Sequence, residues 1–178
     1  MKQGVILYRS KYGATKKYAD WLCEATGFDI AETSKADIRK VEQYETVILC
    51  GGIYASGIAG LSFLRKNCDR LKEKKIAVFC VGASPYDETA FEAVKAHNLK
   101  DDLKGIPVFY GRGAWDQENM SFADRTLCKM LQKAVAKKEP KDYEPWEKAL
   151  MCAGGQVCDW TDKKYLEPLI QLVTDGRE

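Results

Sequence analysis

The chain has 178 residues, of which 46% are hydrophobic and 30% are charged, and its formal net charge at pH 7 is +2. This length predicts one domain, residues 1–178, with room for a buried core. So small a net charge gives no reason to expect a nucleic-acid partner. No apolar run approaches the roughly 20 residues that a membrane-spanning helix needs, and residues 1–4 lack the apolar region of a secretory signal.

The seven cysteines are scattered along the chain. No Cys-x-x-Cys occurs, so the spacing typical of zinc ribbons and iron–sulfur sites is missing and no metal site is predicted. Free thiols in this number favour a reducing compartment and therefore a cytoplasmic protein. A pair between Cys152 and Cys158 stays open. Cys50 and Cys80 end apolar runs and are expected to be buried.

Apolar runs alternate with helical patterns through the first 111 residues. The run at 28–33 alternates apolar and polar residues, which indicates an edge strand, and Gly51 and Gly52 are expected to end the strand before them. Strands that alternate with helices predict a parallel, doubly wound α/β sheet. The expected strands are 3–9, 28–33, 46–50, 75–81 and 107–111, and the expected helices are 14–26, 61–71 and 88–97, with a helical turn at 38–44.

The segment from about 113 to 158 is too long to be a simple connection. We predict that it is an insertion or extension of the domain, with a helix at 122–137 and then a stretch that contains Pro140 and Pro145. A last helix follows, and residues 159–162 are expected to cap it.

The turn after the first strand reads Ser10-Lys11-Tyr12-Gly13-Ala14-Thr15. A helix follows it directly, and the unpaired amides and the dipole at a helix start favour an anion. Ser10 and Thr15 add hydroxyl groups, and Gly13 allows the backbone to approach a ligand. A P-loop would need a Gly-Lys-Ser/Thr ending, and a dinucleotide fingerprint would need three glycines. The alternative is an ordinary helix capped by Ser or Thr.

Three further loops with glycines, 51–57, 82–87 and 111–116, follow expected strands. In an open parallel sheet, ligands bind beyond the carboxyl ends of the strands, so all four loops are expected at one site. Tyr54, Tyr86 and Trp115 lie in these loops, where a flat ring could stack between them. The alternative is that these aromatic side chains pack under the loops.

The titratable residues near these loops give no catalytic assignment. Asp87, Glu88 and Asp116 are expected to cap helices and turns, as acidic residues before a helix commonly do. His97 is expected to be a solvated residue at the end of a helix.

The first residues follow the pattern Ile6-Leu7-Tyr8-x-Ser10-x-x-Gly13-x-Thr15-x-x-x-Ala19-x-x-Leu22. This pattern resembles the FMN-phosphate motif of the flavodoxin family at every defined position. The resemblance implies the strand order 2-1-3-4-5 and FMN held without a covalent bond. It implies phosphate contacts from Ser10, Lys11, Tyr12, Gly13, Ala14 and Thr15, and isoalloxazine contacts from the loops that hold Gly52, Ile53, Tyr54, Ala55, Ser56 and Gly57, and Gly82, Ala83, Ser84 and Tyr86.

The later part of the chain resembles a narrower group. Gly111-Arg112-Gly113-Ala114, Ser121-Phe122-Ala123-Asp124-Arg125 with a basic helix, and Asp159-Trp160 are similar to the menaquinone-dependent protoporphyrinogen dehydrogenases. Two functions therefore stay open: electron transfer to a redox partner protein, or an FMN-dependent dehydrogenase of the protoporphyrinogen or quinone type. A flavin-free receiver domain is disfavoured, because Arg9 and Ser10 stand where that class needs acidic residues.

Two features depart from typical flavodoxins. Typical flavodoxins have a strongly acidic surface that steers basic partners toward them, whereas this chain has a net charge of +2. The helix at 122–137 combines apolar and basic residues and could lie on an anionic membrane surface. The alternative, which we favour at this point, is that its apolar face packs on the sheet, as surface helices commonly do.

Overall fold

The computed structural model describes residues 2–175 of the chain. Five strands of its main sheet run parallel in the order β2-β1-β3-β5-β6, and β4 pairs antiparallel with the end of β3. Counted without the short β4, this is the predicted order 2-1-3-4-5. The strands are β1 (Lys2–Arg9), β2 (Asp29–Glu32), β3 (Tyr44–Tyr54), β4 (Gly57–Ile58), β5 (Lys75–Gly82) and β6 (Val108–Arg112).

The helices cover both faces of this sheet. One apolar cluster packs β1, β3 and β5 against α1 and α8, and the other packs the opposite face of these strands against α3 and α4. Neighbouring residues such as Ile6 and Leu7 enter different clusters, because side chains alternate along a strand. The helices are α1 (Ala14–Thr26), α2 (Ile38–Val41), α3 (Leu61–Lys66), α4 (Cys68–Leu71), α5 (Glu88–Asn98), α6 (Phe122–Val135), α7 (Pro145–Ala153) and α8 (Glu167–Thr174).

Strand β3 extends through the two glycines that were expected to end it. Beyond Gly52 the chain turns back, and the Ala59 amide donates to the Gly52 carbonyl at 2.9 Å. A Cβ atom at Gly51 would collide with the Ala59 carbonyl oxygen, and one at Gly52 would lie 2.7 Å from the Tyr54 hydroxyl oxygen. These glycines therefore permit close packing inside a strand, and the prediction that they end it was wrong.

The expected loop at 53–57 is a tight hairpin. Ile53 pairs with Ile58 and Tyr54 pairs with Gly57, so only Ala55 and Ser56 form the turn. Both turn residues have positive φ angles, 46° and 67°, as the two-residue turns that match strand twist require.

The helix expected at 61–71 is broken into α3 and α4 at Asn67. The φ of Asn67 is −122°, outside the helical range, and its side-chain amide donates to the Phe63 carbonyl at 2.8 Å. That local bond competes with continuation of the helix.

The segment after β6 contains a small second sheet that the sequence did not predict. Strands β7 (Ala114–Asp116) and β8 (Val157–Asp159) pair antiparallel, with Trp115 opposite Cys158. Because Asp159 lies in β8, the predicted cap at 159–162 was only partly correct. Asp162 alone caps a 3₁₀ turn, Lys163–Leu166, which leads into α8, and its carboxylate accepts from the Lys164 amide at 3.0 Å.

Helix α6 does not pack its apolar face on the sheet, contrary to our expectation. It contacts α7, and Val135 is its one buried residue among those that the structure describes. Phe122 is 86% exposed and Met130 is 63% exposed, and Leu127 and Leu131 are also exposed.

All seven cysteines are free thiols. Cys50 and Cys80 are completely buried, as predicted. Burial in an apolar environment raises the pKa of the Cys80 thiol to about 12. Both thiols are therefore protonated packing residues at neutral pH.

We predict that Gly51→Ala will destabilise the protein by about 1–3 kcal/mol, the usual effect of overpacking a tight contact. The new methyl group must displace the backbone at Ala59. Urea unfolding would measure the change. Gly57→Ala is the matched control, because its Cβ would lie 3.4 Å from the nearest atom, the Tyr54 carbonyl oxygen. Equal stability of the two variants would contradict this account of β3.

Candidate functional site

The turn between β1 and α1 has an open helix start. Gly13 is the N-cap residue of α1, with a left-handed φ of 97°. Lys17 is the first residue whose amide reaches a helical acceptor, the Gly13 carbonyl at 2.9 Å. The amides of residues 14–16 therefore begin the helix without helical partners, and no acidic residue lies in the first turn.

The alternative of a helix capped by Ser or Thr does not hold for α1. The Ser10 hydroxyl accepts from the Gly13 amide at 3.1 Å, inside the turn, and not from the first turn of the helix. Thr15 lies inside the helix with its side chain buried. We call residues 10–15 the anion cradle, because the amides, the dipole and the absence of a capping carboxylate all favour an anion there.

Helix α6 contacts the cradle through Asp124. Its carboxylate forms an ion pair with the Lys11 ammonium group and accepts a hydrogen bond from the Tyr12 hydroxyl. The Ser121 amide donates to the same hydroxyl oxygen at 3.3 Å. Lys11, followed by Tyr12, holds the pKa of Asp124 below its usual value. A carboxylate thus lies at the rim of the cradle and competes for its lysine.

The 53–58 hairpin also contacts the cradle. The Lys11 amide donates to the Tyr54 hydroxyl at 3.2 Å, and the Tyr54 ring lies against Gly52. Burial raises the pKa of Tyr54. Tyr54 is still 40% exposed, so it joins two predicted ligand loops and keeps one side open to solvent.

The loop at 82–87 is held in place by β6 and the residues after it. The Tyr110 hydroxyl donates to the Ser84 carbonyl at 2.5 Å, and the Arg112 Nε donates to the Ala83 carbonyl at 3.0 Å. The Gly113 amide donates to the Gly82 carbonyl at 2.7 Å. Three consecutive carbonyl groups of this loop are therefore fixed from one side.

Tyr86 and Asp87 end this loop in different ways. Tyr86 is 56% exposed, and its ring centre lies 5.9 Å from that of Tyr110. Asp87 caps α5, since its carboxylate accepts from the Ala90 amide at 2.8 Å, as predicted.

The other titratable residues near the loops also have structural positions. Asp116 accepts from the Asn119 amide at 3.2 Å, in a turn. His97 is exposed in the last turn of α5, also as predicted.

Trp115 lies on the β7–β8 ribbon, which begins where β6 ends. Its indole Nε1 is buried and has no hydrogen-bond partner among the described residues. The ribbon is fixed to α1, because Asp159 forms an ion pair with Lys17 at 2.8 Å. Lys17 is the main reason that the pKa of Asp159 falls to about 2.

Arg112 and Trp160 form a second support for the ribbon. The guanidinium carbon of Arg112 lies 3.9 Å from the centre of the Trp160 ring, a cation–π contact. The Tyr18 hydroxyl donates to the Arg112 carbonyl at 2.6 Å and accepts from the Asp162 amide at 3.2 Å. Burial raises the pKa of Tyr18 to about 12, so its proton stays in this bond at neutral pH.

The structure joins the cradle to the hairpin through the bond between Tyr54 and Lys11, while the loop at 82–87 and Trp115 are positioned by β6 and the ribbon. Two residues that support the site, Asp124 and Arg112, had no role assigned from the sequence. Asp124 stands three residues after Ser121, a spacing that signals a helix start. That spacing gives no indication of which side chain the carboxylate will contact.

The strand order and the cradle after β1 define a flavodoxin-like, doubly wound α/β protein. A model of the flavodoxin domain family matches residues 5–143, most of the chain, and the protein belongs to that family. Family membership supports a flavin-binding redox protein. A search among curated proteins found no match.

Three solved structures illustrate the likeness. A two-electron reduced flavodoxin from Megasphaera elsdenii is 18% identical, with a TM-score of 0.47, and the match covers 61% of this chain and 82% of that one. A WrbA-like flavodoxin from Agrobacterium tumefaciens is 16% identical (TM-score 0.45; 70% and 88% covered). A flavoprotein in complex with FMN from Lactobacillus acidophilus is 16% identical (TM-score 0.43; 63% and 93% covered).

Between residues 2 and 175, no helix combines the length and the apolar character that crossing a bilayer requires.

Proposed function

We propose that the protein binds FMN without a covalent bond and transfers electrons in the cytoplasm. The open start of α1 is the observation that carries this proposal, since the three amides after Gly13 have no helical partners and can donate to an anion. The flavodoxin family match supports a flavin as the ligand that carries the anion. Bound FMN would supply the electron-transfer chemistry, and the protein would bind and orient it and set its potential.

Residues of the cradle would hold the phosphate. The amides of residues 14–16 face an anion at the helix start, and the Ser10 hydroxyl lies beside them. The Lys11 ammonium group can add charge when it leaves Asp124. Residues 52–57, most of which form the 53–58 hairpin, and the loop at 82–86 would contact the isoalloxazine ring. Tyr54, Tyr86 and Trp115 would be its aromatic neighbours.

Asp124 works against phosphate binding in this arrangement. Its carboxylate is ionised at neutral pH, because Lys11 and Tyr12 keep its pKa low. A phosphate in the cradle would meet this charge and would compete with it for Lys11. Asp124 therefore weakens cofactor binding while it holds α6 against the site.

We expect Ser10→Ala and Asp124→Asn to change FMN affinity in opposite directions. A hydrogen bond to a charged group contributes about 1.5–3 kcal/mol, so Ser10→Ala should raise the Kd by roughly tenfold or more. Asp124→Asn should lower the Kd a few-fold, because it removes the repulsion and frees Lys11. Quenching of FMN fluorescence on titration would measure both constants.

Thr126→Ala is a suitable control for these variants. Its exposed hydroxyl donates to the Phe122 carbonyl of its own helix, at 2.8 Å, so the FMN Kd should not change. Wild-type protein that binds no FMN would refute the proposed function. Normal affinity in Ser10→Ala would show that the cradle is wrongly assigned.

A second candidate is an FMN-dependent dehydrogenase of the protoporphyrinogen or quinone type. The observation that favours it is the position of α6, which belongs to the extra segment and yet contacts Lys11 and Tyr12 at the cradle. A simple carrier does not need such a segment, and an enzyme could use it to shape a substrate surface. The resemblance of residues 111–114, 121–125 and 159–160 to the menaquinone-dependent protoporphyrinogen dehydrogenases supports the same alternative.

Anaerobic turnover would decide between the two candidates. For a carrier, we expect FMN-loaded protein to oxidise protoporphyrinogen with a menaquinone analogue no faster than free FMN does. The reason is that a carrier has no site that binds protoporphyrinogen beside the flavin. Formation of porphyrin would be followed by its fluorescence. Catalytic turnover above the free-FMN rate would reject the carrier and establish the dehydrogenase.

We also propose that α6 contacts an anionic membrane surface. Its exposed apolar residues Leu127, Met130 and Leu131 lie three and four positions apart, on one side of the helix. Residues 122–138 carry five basic side chains and one acidic one, although the whole chain has a net charge of only +2. Lys133 and Lys137 follow Met130 by three and seven positions, so they border this apolar stripe, an arrangement that suits the interface of an anionic bilayer.

Neutralising Lys133 and Lys137 together should weaken binding to vesicles that contain anionic lipid by more than tenfold. Each lysine near such a surface contributes about 1 kcal/mol. Co-sedimentation with vesicles would measure the change, and Lys35→Gln with Lys100→Gln, two exposed lysines outside α6, is the matched control. Equal binding by both double variants would remove the membrane proposal. Self-association without vesicle binding would identify a second copy as the occupant of this face.

A further inference from the structure

The turn of the 53–58 hairpin is held in an unfavourable backbone conformation. Ala55 and Ser56 both have positive φ angles without being glycine, which costs about 1–3 kcal/mol for each residue. Such a turn persists only when surrounding contacts determine its shape. The chain must therefore provide a contact that fixes these two residues.

Asn98, the last residue of α5, provides that contact. Its Oδ1 accepts from the Ile58 amide at 2.9 Å, and its Nδ2 donates to the Ser56 carbonyl at 2.6 Å. The same Nδ2 donates to the Val94 carbonyl, one turn earlier in α5, at 2.8 Å. The side chain is almost completely buried, with 6% of its surface exposed. One buried amide thus fixes peptide groups on both sides of Gly57.

The hairpin is held at its other side as well. The Tyr54 hydroxyl accepts from the Lys11 amide of the cradle at 3.2 Å. The carbonyl of Asn98 accepts from Arg65 of α3 at 3.2 Å, so the clamp is itself held by a second helix. The hairpin, which is held by the cradle on one side and by α5 on the other, therefore has little freedom to rotate its peptide groups.

We propose that Asn98 is a positioning residue for the flavin, which sets its reduction potential by fixing the Ser56 and Ile58 peptides. This inference rests on the proposed FMN function. A reduced flavin ring carries an additional N–H donor and is stabilised by a nearby carbonyl acceptor, so the protein's backbone tunes the potential. The Ser56 carbonyl accepts from Asn98 instead, so this acceptor is not free to turn toward a bound flavin.

Asn98→Ala tests this role. We expect the freed Ser56 peptide to favour reduced FMN, so that the ratio of affinities for reduced and oxidised FMN rises at least tenfold. That ratio corresponds to a rise of about 30 mV in the two-electron midpoint potential. The potential would be measured by spectroelectrochemistry and the Kd of oxidised FMN by fluorescence titration. Hydrogen exchange of the Ile58 amide should become faster in the same variant, with or without FMN.

Two further variants keep the test decisive. His97→Ala changes the exposed neighbour on the same helix and should leave the potential unchanged. Asn98→Ser is used if Asn98→Ala fails to fold, because a serine hydroxyl can bond the Val94 carbonyl of its own helix without reaching the hairpin.

The outcomes separate this inference from the proposed function. Wild-type protein that binds no FMN would refute the proposed function and this inference with it. FMN binding with the same midpoint potential in the wild-type protein and in a folded Asn98 variant would overturn the inference alone.

Discussion

The site depends on the unpaired amides at the start of α1. They exist because Gly13 takes a left-handed conformation and brings no side chain to cap the helix. Had a serine or an aspartate stood at that position, its oxygen would have satisfied the same amides and an anion would have had less to bind. The rest of the carboxyl edge is arranged around this unsatisfied group of donors.

Each neighbouring loop is fixed by a residue that lies outside it. Asn98 of α5 holds the hairpin turn, and Arg112 of β6 holds the Ala83 carbonyl. Lys11 contacts both Tyr54 and Asp124, so the cradle itself connects the hairpin to α6. A site built in this way owes its shape to the elements that surround the loops more than to the loops themselves.

The parallel strands and the position of the cradle could be predicted because both depend on local patterns, whereas the strand order followed only from the resemblance to the flavodoxin family. Apolar runs such as 46–50 and the single glycine at 13 signal their roles in a few residues. The hairpin after Gly52 could not be predicted, because it depends on the Tyr54 ring packing on a strand that had appeared to end. For α6 the sequence favoured the wrong alternative for a similar reason, since an amphipathic pattern does not say what covers the apolar side.

The β7–β8 ribbon has a consequence for how the extra segment is attached. Asp116 pairs directly with Val157, so residues 117–156 leave the core and return to it at neighbouring points. Each doubling of the length of such a loop adds only about 0.6 kcal/mol to the entropic cost of closing it. The segment is therefore a module on a two-stranded stem, one that a lineage or an engineer can lengthen, shorten or exchange without changing the register of the parallel sheet.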